Sequence, residues 1–297
     1  MADAYDRGHT RETALPAQAD ADERVTCTLC PHACRLRAGE TGFCRARENV
    51  GGVIRAKNYG RLTALALDPI EKKPLYHFHP GSFILSVGSF GCNLACPFCQ
   101  NAAIAMADDS IETEDVSPER LAALAADLRR RAPGNLGVAF TYNEPLVGFE
   151  YILDTAPLLH AAGMRVVLVT NGMISDEPLA RLLPHVDAMN IDLKGWREEH
   201  YRRLGGNLET VKATIARAAE MCHVEVTTLI VPGMNDGTED MDEEARWLAS
   251  LSPDLPLHIS RYFPRHRLST PPTPIETVDR LTAIAARHLH HVHRGNC

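Results

Sequence analysis

No stretch of this 297-residue sequence approaches the ~18–20 consecutive apolar positions that a bilayer-spanning helix needs. The first residues, Met1-Ala2-Asp3-Ala4-Tyr5-Asp6-Arg7, are polar and lack the apolar core of a secretory signal. Positive charge is not in excess. With 31 Lys and Arg against 38 Asp and Glu, the net charge is −7 and no basic stripe stands out. The expectation is therefore no membrane and no nucleic-acid partner. No long repeat or low-complexity block is found either. What the chain does hold is nine cysteines, grouped rather than scattered. In a chain this long, grouped cysteines read as metal sites in a reducing cytoplasm, not as a disulfide framework.

The most informative group is Cys92, Cys96 and Cys99, in the run Gly91-Cys92-Asn93-Leu94-Ala95-Cys96-Pro97-Phe98-Cys99-Gln100-Asn101. This C-x3-C-x2-C spacing follows a strand-like segment. Three thiolates this close can hold three irons of one [4Fe–4S] cube, which normally takes four cysteines. No other Cys lies between Cys99 and Cys222, and no His between His79 and His160, so one iron would be left open for chemistry. Structural zinc wants a closed set of four ligands, a pattern this run fits poorly. A second group, Cys27, Cys30, Cys34 and Cys44, has C-x2-C-x3-C-x9-C spacing and is locally complete. Zinc and a second [4Fe–4S] cluster both satisfy that count. His32 is a candidate substitute ligand, though solvent exposure is the simpler reading.

The organisation reads as a disordered lead-in over 1–24, a Cys-rich N-terminal module with its linker over 25–80, and an α/β domain over 81–297. From Phe83 onward, short apolar strands alternate with amphipathic helices. The strands read as Phe83–Phe90, Leu136–Tyr142, Met164–Thr170, Val186–Asp192, His223–Val231 and Leu257–Phe263. The helices between them read as Pro118–Arg131, Leu146–Ala162, Asp176–Leu183, Asn207–Met221 and Thr238–Leu251, with a last one over Pro274–His290. Six βα units fit either a parallel barrel or a doubly wound sheet. Polar motifs gather at the C-terminal ends of successive strands, where a βα barrel keeps its active site.

Those motifs have modest meanings one by one. Glu144, in Thr141-Tyr142-Asn143-Glu144-Pro145, can accept hydrogen bonds from a ligand ammonium group or simply cap a helix. Asn171, in Thr170-Asn171-Gly172, marks a turn and can bond a ribose or carboxylate. Asp192 and Lys194, in Asn190-Ile191-Asp192-Leu193-Lys194, share a face as an ion pair or as a solvated strand end. Asp68 to Gly81 reads as a charged, solvated linker.

Taken together, C-x3-C-x-aromatic-C after a first barrel strand, followed by these motifs in order, resembles the radical S-adenosylmethionine (SAM) superfamily. The segments Cys27 to Cys34, Asp68 to Phe78 and Gly91 to Asn101 resemble more narrowly the AmmeMemoRadiSam system radical SAM enzyme, a family similar to pyruvate formate-lyase activating enzyme. The resemblance implies a partial (β/α)6 TIM-like barrel, open at its side, with the Cys-rich module appended. It implies a cluster on Cys92, Cys96 and Cys99. SAM would be held by Glu144, Asn171, Asp192 and Lys194, with Phe98 near its adenine. It also implies a one-electron donor of flavodoxin or ferredoxin type, and a 5′-deoxyadenosyl radical acting on an unknown protein or small molecule. The alternatives are activation of a glycyl-radical enzyme and a non-catalytic, metal-stabilised scaffold. Two departures stand out. Tyr142 and Asn143 replace the two glycines of the family's Gly-Gly-Glu. The family pattern also continues into a tail with a further Cys pair, whereas this sequence ends at Arg294-Gly295-Asn296-Cys297.

Overall fold

A computed structural model describes residues 24–131 and 133–297. Apart from Arg24, the expected lead-in over 1–24 lies outside the described residues.

The N-terminal module is built from short antiparallel pairs. Strand β1 (Val25–Thr26) pairs with β2 (Arg35–Leu36), and β3 (Arg47–Val50) with β4 (Val53–Ala56). The first pair turns Cys27 back on Cys34, whose carbonyl accepts the Cys27 N–H at 2.9 Å. After β5 (Arg61–Leu62) comes β6 (Ala64–Pro69), which does not stay in the module. It runs antiparallel to β7 (Phe83–Gly88) along its whole length, so the main sheet begins well before residue 81.

From β7 the chain builds parallel strands with helices between them. The order is α1 (Ala102–Ala105), β8 (Glu114–Asp115, paired with β5), α2 (Pro118–Arg129), β9 (Gly137–Phe140), α3 (Phe149–Ala161), β10 (Arg165–Thr170), α4 (Asp176–Leu182) and β11 (Ala188–Asp192). Then follow α5 (Glu198–Arg203), α6 (Leu208–Ala219), β12 (His223–Ile230), α7 (Thr238–Leu251), β13 (Leu257–Arg261), α8 (Ile275–Ala285) and β14 (Val292–Gly295). Helix α2 starts as its sequence demands: Ser117 caps it by accepting the Arg120 N–H, and Pro118 fills the first turn.

The sheet order is β14-β13-β12-β11-β10-β9-β7-β6, with every pair parallel except β7–β6. The order never reverses, as it would in a doubly wound sheet. The strands therefore wind in one direction as a partial barrel, and the ends of the order, β14 and β6, are not paired with each other. Each expected strand is present, trimmed by up to two residues at an end. One is added: β14, a seventh parallel strand, lies where only a chain end was expected. Its sequence, Val-His-Arg-Gly, is too short and polar to announce a strand, and pairing with β13 supplies what propensity does not. Ile84, Ile70, Leu75, Ala139, Val167 and Ala188 form a buried cluster across the sheet. The first part of the Asp68–Gly81 segment is thus packed into the barrel rather than solvated, because Ile70 and Leu75 supply its apolar anchors, whereas Tyr76, His77 and His79 to Gly81 are exposed.

Candidate active site

The C-terminal ends of the parallel strands surround one cavity of about 770 Å³, a size suited to a small molecule plus part of another. It is lined by Cys92, Cys96 and Cys99 and also by Phe98, Glu144, Asn171, Asp192 and Lys194, so all the residues expected of the cluster and SAM sites meet in one place.

The cysteine loop leaves β7 through Gly91, at φ +89°. A Cβ there would stand 2.6 Å from the Cys44 carbonyl oxygen, so only glycine fits. That same oxygen accepts the Cys92 N–H at 3.2 Å. Burial pushes all three thiols up. Cys92, with Glu144 nearby, lies well above the usual range, and Cys96 reaches about 11 although Lys194 opposes the shift. Buried thiols that hold their protons, gathered at the edge of a cavity, are the donor set that a cationic iron–sulfur group deprotonates on binding. Three of them with no fourth Cys in the cavity fit a cube with one iron left to a ligand. Among the described residues, no group of three or more His, Cys, Asp or Glu side chains forms a single-ion site.

Glu144 is 3% exposed and held by three donors. Thr170 Oγ1 (2.6 Å) and Leu146 N (3.1 Å) reach one oxygen, and Asn171 N (2.8 Å) the other. Burial still raises its pKa to about 7. A carboxylate offers about four acceptor positions, so one is left over on a side chain that lines the cavity. Asn171 does more than mark a turn. Its Nδ2 reaches Asn93 Oδ1 (2.9 Å) and the Cys92 sulfur (3.7 Å), and its Oδ1 accepts from Met173 N. Lys194 Nζ lies 2.8 Å from Asp192 Oδ2. Burial works against the lysine charge, but Asp192 and Cys96 outweigh it and raise the pKa.

The two residues replacing the expected glycines have clear tasks. Asn143 donates to the carbonyls of Phe90 and Gly91 and accepts from Ser89 N, tying the end of β9 to the end of β7. Tyr142 keeps the left-handed backbone that glycine would supply, at φ +70°. Its hydroxyl donates to Asp68 (2.8 Å), and Lys73 sits 4.8 Å over its ring. Asp68 also accepts from Lys72 and Lys73, which places this ion cluster on the cavity wall. Sequence reasoning left these residues out of the site. The usable signal was Asp68 through Lys73 followed by a tyrosine where glycine is expected.

Glu225 was also missed. It is fully buried in β12 and accepts from the N–H groups of Tyr76 and His77, with His258 at 2.6 Å and His223 at 2.9 Å. It pins the chain after Lys73 into the barrel. His258 and Ser260 line the cavity. Tyr262 does not, since its hydroxyl donates to the Leu268 carbonyl.

At the second Cys group, Cys27, Cys30, Cys34 and Cys44 face one small enclosed space. His32 is not solvated as expected. It stacks on Phe43 at 4.3 Å and its Nε2 lies 2.9 Å from the Asn93 carbonyl oxygen. Arg47 of β3 forms a buried pair with Glu150 of α3, which locks the module to the barrel.

A one-directional partial barrel with three thiols at the rim of its cavity defines a class, and the sequence comparison agrees with it. The chain belongs to the radical SAM superfamily, whose family model matches residues 86–248, more than half of the chain. Among curated proteins it is 41% identical over 280 residues to uncharacterized protein MJ0808 of Methanocaldococcus jannaschii, covering 93% of this chain and 82% of that one. Among solved structures it resembles a radical SAM methyltransferase from Sphaerobacter thermophilus, with TM-score 0.56, 18% identity, and 73% and 67% of the two chains covered. It also resembles Streptococcus suis SuiB bound to S-adenosylmethionine, with TM-score 0.52, 16% identity, and 69% and 48% covered. At such identities the likeness is one of fold.

Proposed function

We propose that this chain is a radical SAM enzyme in which Cys92, Cys96 and Cys99 hold a [4Fe–4S] cluster and Glu144, Asn171, Asp192, Lys194 and Phe98 hold SAM. The observation that carries the reading is the meeting of these eight side chains around one cavity. When bound, the cluster and SAM supply one-electron reductive cleavage to methionine and a 5′-deoxyadenosyl radical, which takes hydrogen from a substrate. The chain's own residues do the positioning. The free acceptor position on Glu144 suits the SAM ammonium, and Lys194 suits its carboxylate. Asn171 fixes the Cys92 sulfur. Phe98, buried at the cavity edge, offers an apolar surface for the adenine. The Asp68–Lys73–Tyr142 wall faces what remains of the cavity, where a small molecule or a protein segment would enter. The electron comes from a flavodoxin- or ferredoxin-like donor. The four N-terminal cysteines are enough for zinc or for a second cluster.

Among the described residues, no helix is long and apolar enough to cross a membrane. The reading is tested by anaerobic reconstitution with iron and sulfide, reduction, addition of SAM and assay of 5′-deoxyadenosine. Deoxyadenosine formed by the wild type and lost in Cys96→Ala is the expected result. A chain that retains zinc and takes up no iron would leave the scaffold reading standing instead.

A further inference from the structure

Asp68, near the end of β6, faces more positive charge than it can neutralise. Its Oδ2 accepts from Lys73 Nζ (2.9 Å) and from the Tyr142 hydroxyl (2.8 Å), and its Oδ1 from Lys72 Nζ (3.0 Å). Two ammonium groups meet one carboxylate, so one positive charge is left over. Glu71, the other acid on this wall, accepts from the Gly81 amide at 2.6 Å and pairs with neither lysine. The titration of Lys73 reflects the shortage of negative charge. Burial lowers its pKa, Asp68 opposes the shift without cancelling it, and Lys72 adds to it. At Lys194, buried elsewhere on the cavity wall, Asp192 and Cys96 outweigh burial and the pKa rises.

The two lysines are placed to share one ligand. Both line the cavity, with the Lys73 side chain 3% exposed and that of Lys72 66%, so one ammonium lies deep and the other lies toward solvent. An ammonium carries three N–H donors. Lys73 gives one to Asp68 and stands 4.8 Å from the centre of the Tyr142 ring, which leaves a donor for a cavity ligand. Tyr76 and His258, edge to face at 4.7 Å, line the same cavity and offer ring surface to a carbon skeleton.

We propose that the substrate is a small molecule with an anionic oxygen group, a carboxylate or a phosphate, and that Lys73 and Lys72 bind that group. The proposal rests on the reading of the cavity given above and names the class of its second occupant. Tyr142 stands two residues before Glu144, so the anion is anchored beside the SAM site. A charge-assisted bond to a lysine screened from water is worth more than one at the surface. Binding here makes and breaks no covalent bond.

The test uses trifluoroacetate as probe, with trifluoroethanol as its uncharged counterpart, both titrated by fluorine NMR. The iron-free chain and the iron-loaded chain with SAM are compared. Trifluoroacetate should bind both forms, and its dissociation constant should rise at least fivefold in Lys72→Ala and in Lys73→Gln. Lys72 is exposed, so its variant decides if Lys73→Gln does not fold. Competition with acetate and with inorganic phosphate separates the two sources: the ion that displaces the probe at lower concentration names the group. Equal binding of the charged and uncharged probes, or an unchanged constant in Lys72→Ala, overturns the proposal. Binding lost only in Lys194→Gln would place the anion in the SAM site and also overturn it. Failure of the Cys92 reading shows separately, as no 5′-deoxyadenosine from the reduced, SAM-treated chain while the iron-free chain still binds trifluoroacetate. That result keeps the lysine site and overturns its part in the radical reaction.

Discussion

Glu244 stands in α7 with its carboxyl buried, and it accepts a hydrogen bond from the Thr228 hydroxyl at 2.5 Å. Burial raises its pKa from 4.5 to about 8. Between those values the folded chain binds a proton that the unfolded chain releases. Stability from this group is therefore fully present below about pH 4.5 and is lost as pH rises toward 8, by up to about 1.4 kcal/mol per pH unit. Glu244→Gln should flatten that part of the profile, measured as urea unfolding midpoints across the same pH range. Glu144 belongs to the same kind of residue but has a different task. Glu144→Ala removes the acceptor shared by Thr170 and Asn171 and the position left over on a side chain that lines the cavity. It should weaken SAM binding to the iron-loaded chain at least tenfold with the iron count unchanged, as read by anaerobic titration calorimetry. A simultaneous loss of iron would instead make Glu144 a support of the cysteine loop.

Elements are held by contacts distant in sequence, and this governs what could be read in advance. Strands β7 and β9 to β13 and their helices were legible because each carries its own apolar pattern. The cysteine sets were legible because their members lie close together in sequence. Strand β6 reads as part of the Cys-rich module and, from Asp68, as linker, because its place depends on pairing with β7, and β14 is not legible because its sequence is short and largely polar. Glu225 was silent for a similar reason: a lone acid in an apolar strand gains meaning only when Tyr76 and His77 arrive from the far side of the sheet. Burial would raise its pKa, yet His223, His258 and the two amides hold it well below the usual carboxylate range. Glu225→Ala should cost about 2–4 kcal/mol, seen as a lower unfolding midpoint, because the amides and His258 lose their partner. Gly91→Ala attacks the junction between loop and module. With φ at +89° and no room for a Cβ, it should displace the cysteine loop and lower iron uptake even if the fold survives, as measured by iron content and circular dichroism.

At the scale of the whole molecule, the barrel, the module and the cavity depend on one another. Arg47 and Glu150 join the module to α3, Cys44 joins it to the cysteine loop, and Asp68 brings the end of β6 to Tyr142. Ligand binding should therefore be felt globally. SAM at a hundred times its dissociation constant adds about 2.7 kcal/mol to the folded state. SAM should raise the melting temperature of the iron-loaded chain and leave that of the iron-free chain unmoved, in anaerobic scanning fluorimetry. A shift of equal size in both would mean that SAM binds without the cluster.

The pairing of β6 with β7 also limits how the protein can be divided. A fragment beginning at residue 81 would retain all seven parallel strands, yet it would bare the full hydrogen-bonding edge of β7, which has an apolar strand sequence. An uncovered edge of that kind is a template for pairing with another chain. The Cys-rich segment thus guards the barrel against self-association, and the barrel is not a portable catalytic unit that can be cut free of it.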